Sequence, residues 1–419
     1  MVRPAALLAQ MRQTTFAATV VPNYRRYLSG QSLSLIGTWM QLTAQSWLVL
    51  RLTHSAGWLG GIVALQTLPV LLLGPYGGVV ADRVDKRRLM IALQTVMGLQ
   101  ALALGLLTIF DLARIWEIAL LALLLGFNNA FENPARQSFM LELVGPEHLR
   151  NAVSLNSTMV SLARVIGPAV AGLLIALTGE GPCFLINAVS FVMVVRSLLG
   201  MDLAALSPVT PAPRAGGQLR EGLRYVGHRR QLALPLVMMA VVGCLAYEFQ
   251  VTLPYMASHG LHAGASGYGF MTAAMGLGAV FGGLTVASRG RTGTWPLILS
   301  ATAFGCAIAL AALAPTLAAE LPALVLVGVA GISFTSQGNA TLQLGAAPEM
   351  RGRVMSLWFV AFQGSTPIGG PLVGWVMAEA GPRAGLGIGA LGCLTVAALA
   401  AVMLRGAAAS DPVVDSARR

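Results

Sequence analysis

The sequence predicts an all-α membrane protein with twelve transmembrane helices in two pseudo-symmetric six-helix bundles. Three observations predict it. First, the 419 residues are 56% hydrophobic and only 10% charged, with a mean hydropathy of +0.73. A soluble globular protein carries about 25% charged residues, so this chain is too apolar for water. Second, basic residues alternate between successive loops. Third, features of the first half recur in the second.

A span needs about 20 mostly apolar residues. Breaks at charges, proline and glycine mark twelve, at 30–51, 57–80, 89–110, 115–136, 151–178, 182–200, 231–255, 266–288, 294–315, 320–343, 354–378 and 384–404. The second and third are bounded by charged turns, while the fourth ends among Asn128, Asn129, Glu132 and Asn133. Arg3, Arg12, Arg25 and Arg26 precede the first span without a long apolar run, so that span is expected to serve as the insertion signal.

If the Asp82–Arg88 turn is cytoplasmic, alternate loops, the span ends beside them and both tails hold 23 of the 27 Lys and Arg residues. Only Arg51, Arg114 and Arg383 fall on the opposite side, and Arg164 lies inside a span. This is the positive-inside pattern, and it places both termini in the cytoplasm. The net charge of +11 therefore reflects orientation in a lipid bilayer and not a nucleic-acid surface.

Residues 201–230 form the one long connector. Pro208, Pro211, Pro213 and Gly216-Gly217 suit an unstructured lead-in. Leu219, Leu223 and Val226 then recur at helical spacing, which predicts a short amphipathic helix at the cytoplasmic interface. The expected division is 1–200, 201–230 and 231–419.

The two halves resemble each other. Pro146-Glu147 and Ser154-Leu155 recur as Pro348-Glu349 and Ser356-Leu357, an offset of 202. Gly167-Pro168 recurs as Gly370-Pro371 at 203, and Gly77-Gly78 as Gly282-Gly283 at 205. Three features in one order at nearly one offset indicate an internal duplication. Six spans per half make the repeats parallel, which puts substrate in the cleft between them near the midplane.

In the turn from Gly78 to Arg88 an apolar, glycine-rich run stops at Asp82, and seven residues then hold two acids and four bases. Gly78, then Asp82-Arg83, then Lys86-Arg87-Arg88 resembles the loop 2–3 signature of the major facilitator superfamily, with Asp85 in place of the usual second glycine. The resemblance covers nearly the whole chain. Gly37-Thr38-Trp39-Met40-Gln41, Asn133-Pro134-Ala135-Arg136-Gln137, Leu162 to Pro168 and Arg351 to Leu357 are similar to the enterobactin-exporter-like branch, which implies efflux of drug- or siderophore-like solutes.

The resemblance implies that Asp82 caps the start of the eleventh span and latches the cytoplasmic side. A carboxylate is favoured at a helix N-terminus. Arg83 and Arg87 are candidates to pair with Glu132, which is also an i, i+4 partner of Arg136. The second-half turn, Ser288-Arg289-Gly290-Arg291, lacks the acid, so the latch is expected only in the first half. Gly167, Pro168 and Gly172 resemble part of the family's antiporter signature, with Ala163 and Ala171 replacing glycines, and are expected to pack helices tightly between the halves.

Two ionisable residues stand alone in apolar spans, Arg164 in the fifth and Glu248 in the seventh. Each lies roughly 20–25 Å along its helix from the cytoplasmic end. A lone charge at that depth costs a few kcal/mol and marks a pathway or a pair. Glu248 is the candidate for exchanging a proton, and Arg164 for tuning it or holding substrate. Gln41, Gln45, Asn128, Asn129, Gln250, Gln337 and Asn339 fall in spans one, four, seven and ten, which the resemblance implies line the cavity. Amides in apolar walls suit an amphipathic organic solute.

Cys183, Cys244, Cys306 and Cys393 sit in apolar runs without paired spacing, and no metal motif, nucleotide loop or nucleophile elbow appears. The chain is therefore expected to be no enzyme, to need no cofactor or metal, and to act as a monomer on a small-molecule substrate and protons. An importer or uncoupled facilitator, and a membrane sensor or scaffold that has lost transport, are the competing readings.

Overall fold

The structure, a computed structural model, describes residues 16–207, 218–227, 229–289 and 292–409. All regular structure among them is helical. In chain order the α-helices are α1 (Pro22–Thr53), α2 (Ala56–Arg83), α3 (Lys86–Ile109), α4 (Ile115–Thr178), α5 (Gly181–Leu199), α6 (Gln218–Gly227), α7 (Arg230–Ala246), α8 (Phe249–Tyr255), α9 (Gly264–Arg289), α10 (Thr294–Leu313), α11 (Leu317–Gly345), α12 (Arg351–Gln363), α13 (Thr366–Ala380) and α14 (Pro382–Ala409). Every expected span falls on helix, and among the described residues nine helical stretches are by themselves long and apolar enough to cross a membrane.

Four spans depart from a simple rod. The 64-residue α4 carries both the fourth and the fifth, where the sequence suggested a break between 136 and 151. Its one non-helical residue is Gly145, at φ 69° and ψ 172°. Glycine adopts that conformation freely and Pro146 restarts the helix, so the chain bends without a loop. The seventh span is broken at Tyr247 and Glu248 into α7 and α8, and the carbonyl of Glu248 accepts from the amides of Val251 and Thr252, both at 3.0 Å. The eleventh is divided at Gly364 and Ser365 into α12 and α13.

The chain forms two compact units. The first comprises Met1–His54, Leu65–Arg214 and Gly264–Ala273; the second comprises Ser55–Ala64, Ala215–Ala263 and Ala274–Arg419. The start of α2 thus belongs with the second unit, and the start of α9 with the first.

In the first unit, α1 packs on α4 and α5, and α3 on α5 and α4. Tyr24, Tyr27, Met90, Phe139, Leu143, Val194 and Leu198 form a buried apolar cluster, in which Tyr27 meets Phe139 edge-on at 6.3 Å. In the second unit, α10 packs on α14 and α11, and α7 on α14 and α12. Phe304, Leu324, Val327, Phe334 and Leu342 are buried there.

The short helix α6 lies in the second unit. It buries Gly222 and Val226 and leaves Leu223 56% exposed, so the packed face is one position away from the expected one. Gly222 sits against Arg353 and Leu357, Glu221 pairs with Arg353 at 2.8 Å, and the Tyr225 hydroxyl accepts from the amide of Ala347. The lead-in with Pro208, Pro211, Pro213, Gly216 and Gly217, the tail with Arg3 and Arg12, and Gly290-Arg291 lie outside the described residues, as do the side chains of Leu219 and Arg289.

Candidate functional site

The turn between α2 and α3 distributes its charges one by one. Asp85 caps α3, accepting from the amide of Arg88 at 2.8 Å. Lys86 is buried and donates to Glu142 Oε1 at 2.6 Å, a partner 56 residues away that no local pattern points to. Arg87 donates to the carbonyls of Leu198 and Leu199 at 2.7 and 3.0 Å, at the end of α5. A cation there meets carbonyls left free by the helix terminus. Arg83 is exposed. Glu132 is held instead by Arg136 on its own helix at 3.5 Å and by Gln94 Nε2 at 3.4 Å. Arg136 also donates to Asn133 Oδ1 at 3.2 Å. Gly78 is half-buried, and the side chain of Asp82 lies outside the described residues.

Gln41 belongs to a buried polar chain across the first unit. The Ser190 hydroxyl lies 3.0 Å from Asn187 Oδ1, Asn187 Nδ2 donates to Gln41 Oε1 at 2.7 Å, and Gln41 Nε2 donates to Gln100 Oε1 at 2.9 Å. The chain ends with Gln100 Nε2 at the carbonyl of Leu121, 3.4 Å away. Gln41 therefore ties α1 to α5 and α3, with both ends of its amide engaged. Gln45, one turn on, is 2% exposed and its Oε1 has no hydrogen-bond partner. Asn128 is 4% exposed with neither amide atom partnered, whereas Asn129 is half-buried.

Arg164 stands on α4 with its guanidinium 4.9 Å from the ring of Trp39 on α1, and both side chains are half-buried. One turn on, Gly167 closes the same contact: a Cβ there would lie 2.7 Å from Trp39 Cβ and 2.8 Å from the carbonyl of Ile36. Pro168 and Gly172 face α9. A Cβ on Gly269 would lie 2.5 Å from the Pro168 carbonyl and 2.7 Å from Gly172 Cα.

Glu248 lies in the second unit at the break of the seventh span. It is 2% exposed, the hydroxyl of Thr366 hydrogen-bonds it, and Oε1 has no partner. Gly369 and Gly370 of α13 form the floor beneath it. Its neighbour Tyr247 donates to the carbonyl of Gly331 at 2.7 Å and packs among Phe249, Phe304 and Phe362. In the same unit Gln250 and Gln337 are half-buried, Gln337 Oε1 has no partner, and Asn339 Oδ1 accepts from Gln343 at 2.6 Å. Sequence reading missed Glu320. It resembles an ordinary first-turn acid of α11, yet it is wholly buried with neither carboxylate oxygen partnered. Among the described residues no group of His, Cys, Asp and Glu is placed to hold a metal.

Long apolar helices in two units, a basic turn after the second span and isolated polar groups within the spans define a multi-pass membrane transporter. The transmembrane secretion effector family matches residues 8–416, and the chain belongs to that family of major facilitator transporters. It is 29% identical over 389 residues to the enterobactin exporter EntS of Shigella boydii serotype 4 (strain Sb227), covering 90% of each chain. It is 31% identical over 170 residues to the staphyloferrin A transporter of Staphylococcus aureus (strain NCTC 8325 / PS 47), a match spanning 40% of this chain and 43% of that one. The nucleoside transporter NupG (D323A mutant) superposes with a TM-score of 0.72 at 14% identity, covering 91% of this chain and 98% of the other, a likeness of fold. The chain is thus a transporter and not an enzyme.

Proposed function

We propose that the protein is a proton-coupled exporter of an amphipathic organic solute, siderophore- or drug-like, working by alternating access as a monomer in the bacterial inner membrane with both termini cytoplasmic. The observation that carries the reading is Glu248, a carboxyl sealed from water in a broken span with one oxygen unpartnered. A group so placed holds or loses a proton according to whether water reaches it. The solute class rests on the likeness to the enterobactin exporter EntS and the staphyloferrin A transporter. Gln45, Asn128, Asn129, Gln250, Gln337 and Asn339 supply amide contacts to that solute, and Arg164 supplies a cation. Gly78, Asp82, Arg83, Arg87, Glu132 and Arg136 form the cytoplasmic latch, and residues 201–230 link bundles 1–200 and 231–419.

Proteoliposomes with an imposed pH gradient test the reading, with catecholate- and carboxylate-type chelators beside cationic dyes. The gradient should collapse faster only when a transported solute is present, and Glu248→Gln should abolish that coupling. Solute movement indifferent to the gradient makes the protein a facilitator, and full coupling in Glu248→Gln removes the proton from this site.

A further inference from the structure

Glu248 lies behind a single layer of backbone. A Cβ on Gly369 would sit 2.8 Å from Glu248 Oε1 and overlap the carbonyl of Cys244, and a Cβ on Gly370 would sit 3.5 Å from Oε2. The same layer also meets α2, close beside Glu248 Oε2. A Cβ on Gly60 would overlap the Gly370 carbonyl and lie 2.8 Å from Pro371 N, and one on Gly370 would lie 3.0 Å from the Gly60 carbonyl. One turn on, a Cβ on Gly374 would overlap the carbonyl of Ala56 and lie 3.2 Å from Gly57 Cα. Gly60, Gly370 and Glu248 all belong to the second unit.

The contact is specific to one face of α2. Gly61, the next residue, has nothing within 4 Å of where its Cβ would be. The helix that forms the layer is short, since α13 begins only after the break at Gly364 and Ser365. A Gly-Ser pair is a position at which helices kink. The groups that face Glu248 are Thr366 on α13 and Cys244 one turn earlier on α7, and no cation among the described residues makes an ion pair with it.

We propose that the contact of Gly60 with Gly370 is the gate on Glu248. While α2 and α13 sit glycine on glycine, the carboxyl is sealed; when they part, α13 is freed from behind and water reaches the acid. Gly60, Gly370 and Gly374 are positioning residues for proton exchange, acting through Glu248. The idea rests on Glu248 as the proton carrier, but access to the acid is measured separately from transport.

The test labels Glu248 in the full chain in liposomes with a water-soluble carbodiimide and an amine, read by peptide mass spectrometry. Gly60→Ala wedges the helices and should raise the labelling rate by about tenfold or more, a population shift toward the open form. Gly61→Ala should leave it at the wild-type rate. Equal labelling in the two variants overturns the gate. If Gly60→Ala does not fold, the same helices are parted one turn away. Gly374→Ala, whose Cβ overlaps the Ala56 carbonyl, should raise labelling of Glu248 in the same direction. Labelling at the wild-type rate in Gly374→Ala overturns the gate too. A Glu248→Gln variant that keeps full coupling removes the proposed proton role while the labelling result stands or falls by itself.

Discussion

Span five and span eleven carry the same Gly-Pro step, and each uses it to meet two other helices. In the first unit, Gly167 closes on Trp39 of span one while Pro168 and Gly172 close on Gly269 of span eight. In the second, Gly369 closes on Cys244 of span seven while Gly370 and Gly374 close on Gly60 and Ala56 of span two. The scaffold has been kept through the duplication and the charge has moved. In the first copy it is a cation on span five, Arg164, half-buried over an aromatic ring. At the Gly-Pro offset of 203 its counterpart is the uncharged Pro367, next to Thr366, whose hydroxyl hydrogen-bonds a carboxyl carried by the partner span, Glu248. Close packing of small residues is a need of both copies, whereas a second identical charge at the same depth would cost several kcal/mol with no pathway to serve.

Adding one carbon to each contact tests whether the scaffold is equivalent. Gly269→Ala places a Cβ 2.5 Å from the Pro168 carbonyl, and Gly374→Ala overlaps the Ala56 carbonyl, so backbone must shift in both. Each should cost about 1–3 kcal/mol, as overpacking does. Gly387→Ala on α14 has nothing within 4 Å and should gain about 0.5–1 kcal/mol from helix propensity. The midpoint of denaturant unfolding in detergent micelles reads all three. A loss at Gly374 without one at Gly269 breaks the equivalence.

How much of this was legible beforehand depended on the range of the signal. The span pattern, the basic turn and the Gly-Pro repeat are local, so the fold could be read from residues alone. The two lone charges were legible because nothing else in their spans is ionisable. Partners far apart in sequence were not. Gln41 and Gln45 share a face by spacing, yet Gln41 is engaged by Asn187 and Gln100, 146 and 59 residues away. Arg87 meets the end of α5 and not Glu132 at the end of span four, and Lys86 meets Glu142, 56 residues away. Nothing in the sequence separates Gly60 from Gly61; only the helix that arrives on one face does.

The two charges should respond to neutralisation with opposite signs. Arg164→Gln removes a guanidinium from the face of Trp39, a contact worth about 0.5–2 kcal/mol depending on desolvation. Its unfolding midpoint should fall. Glu248→Gln replaces a sealed carboxyl, one oxygen of which has no partner, by a neutral group of the same shape. Its midpoint should stay or rise by up to about 1 kcal/mol, since a buried polar group without its hydrogen bond is a penalty in the native state. A destabilised Glu248→Gln would mean that the carboxyl is held more firmly than its surroundings indicate. The contrast between the two charges would then fail.

The smallest effect separates the ring from its attachment. The Trp39 side chain does two things: its Cβ fills the space that Gly167 leaves, and its ring lies 4.9 Å from the Arg164 guanidinium. Trp39→Phe keeps the Cβ and an aromatic face of weaker quadrupole, so the loss should be a few tenths of a kcal/mol, within about 0.5. Trp39→Leu keeps the Cβ and removes the face, and should lose about as much as Arg164→Gln. Combining Trp39→Leu with Arg164→Gln should then cost less than the sum of the two, because both remove the ring contact. Additive losses in that double variant would show that Arg164 is held by something other than the ring, and that the first copy of the repeat keeps its charge for a reason independent of span one.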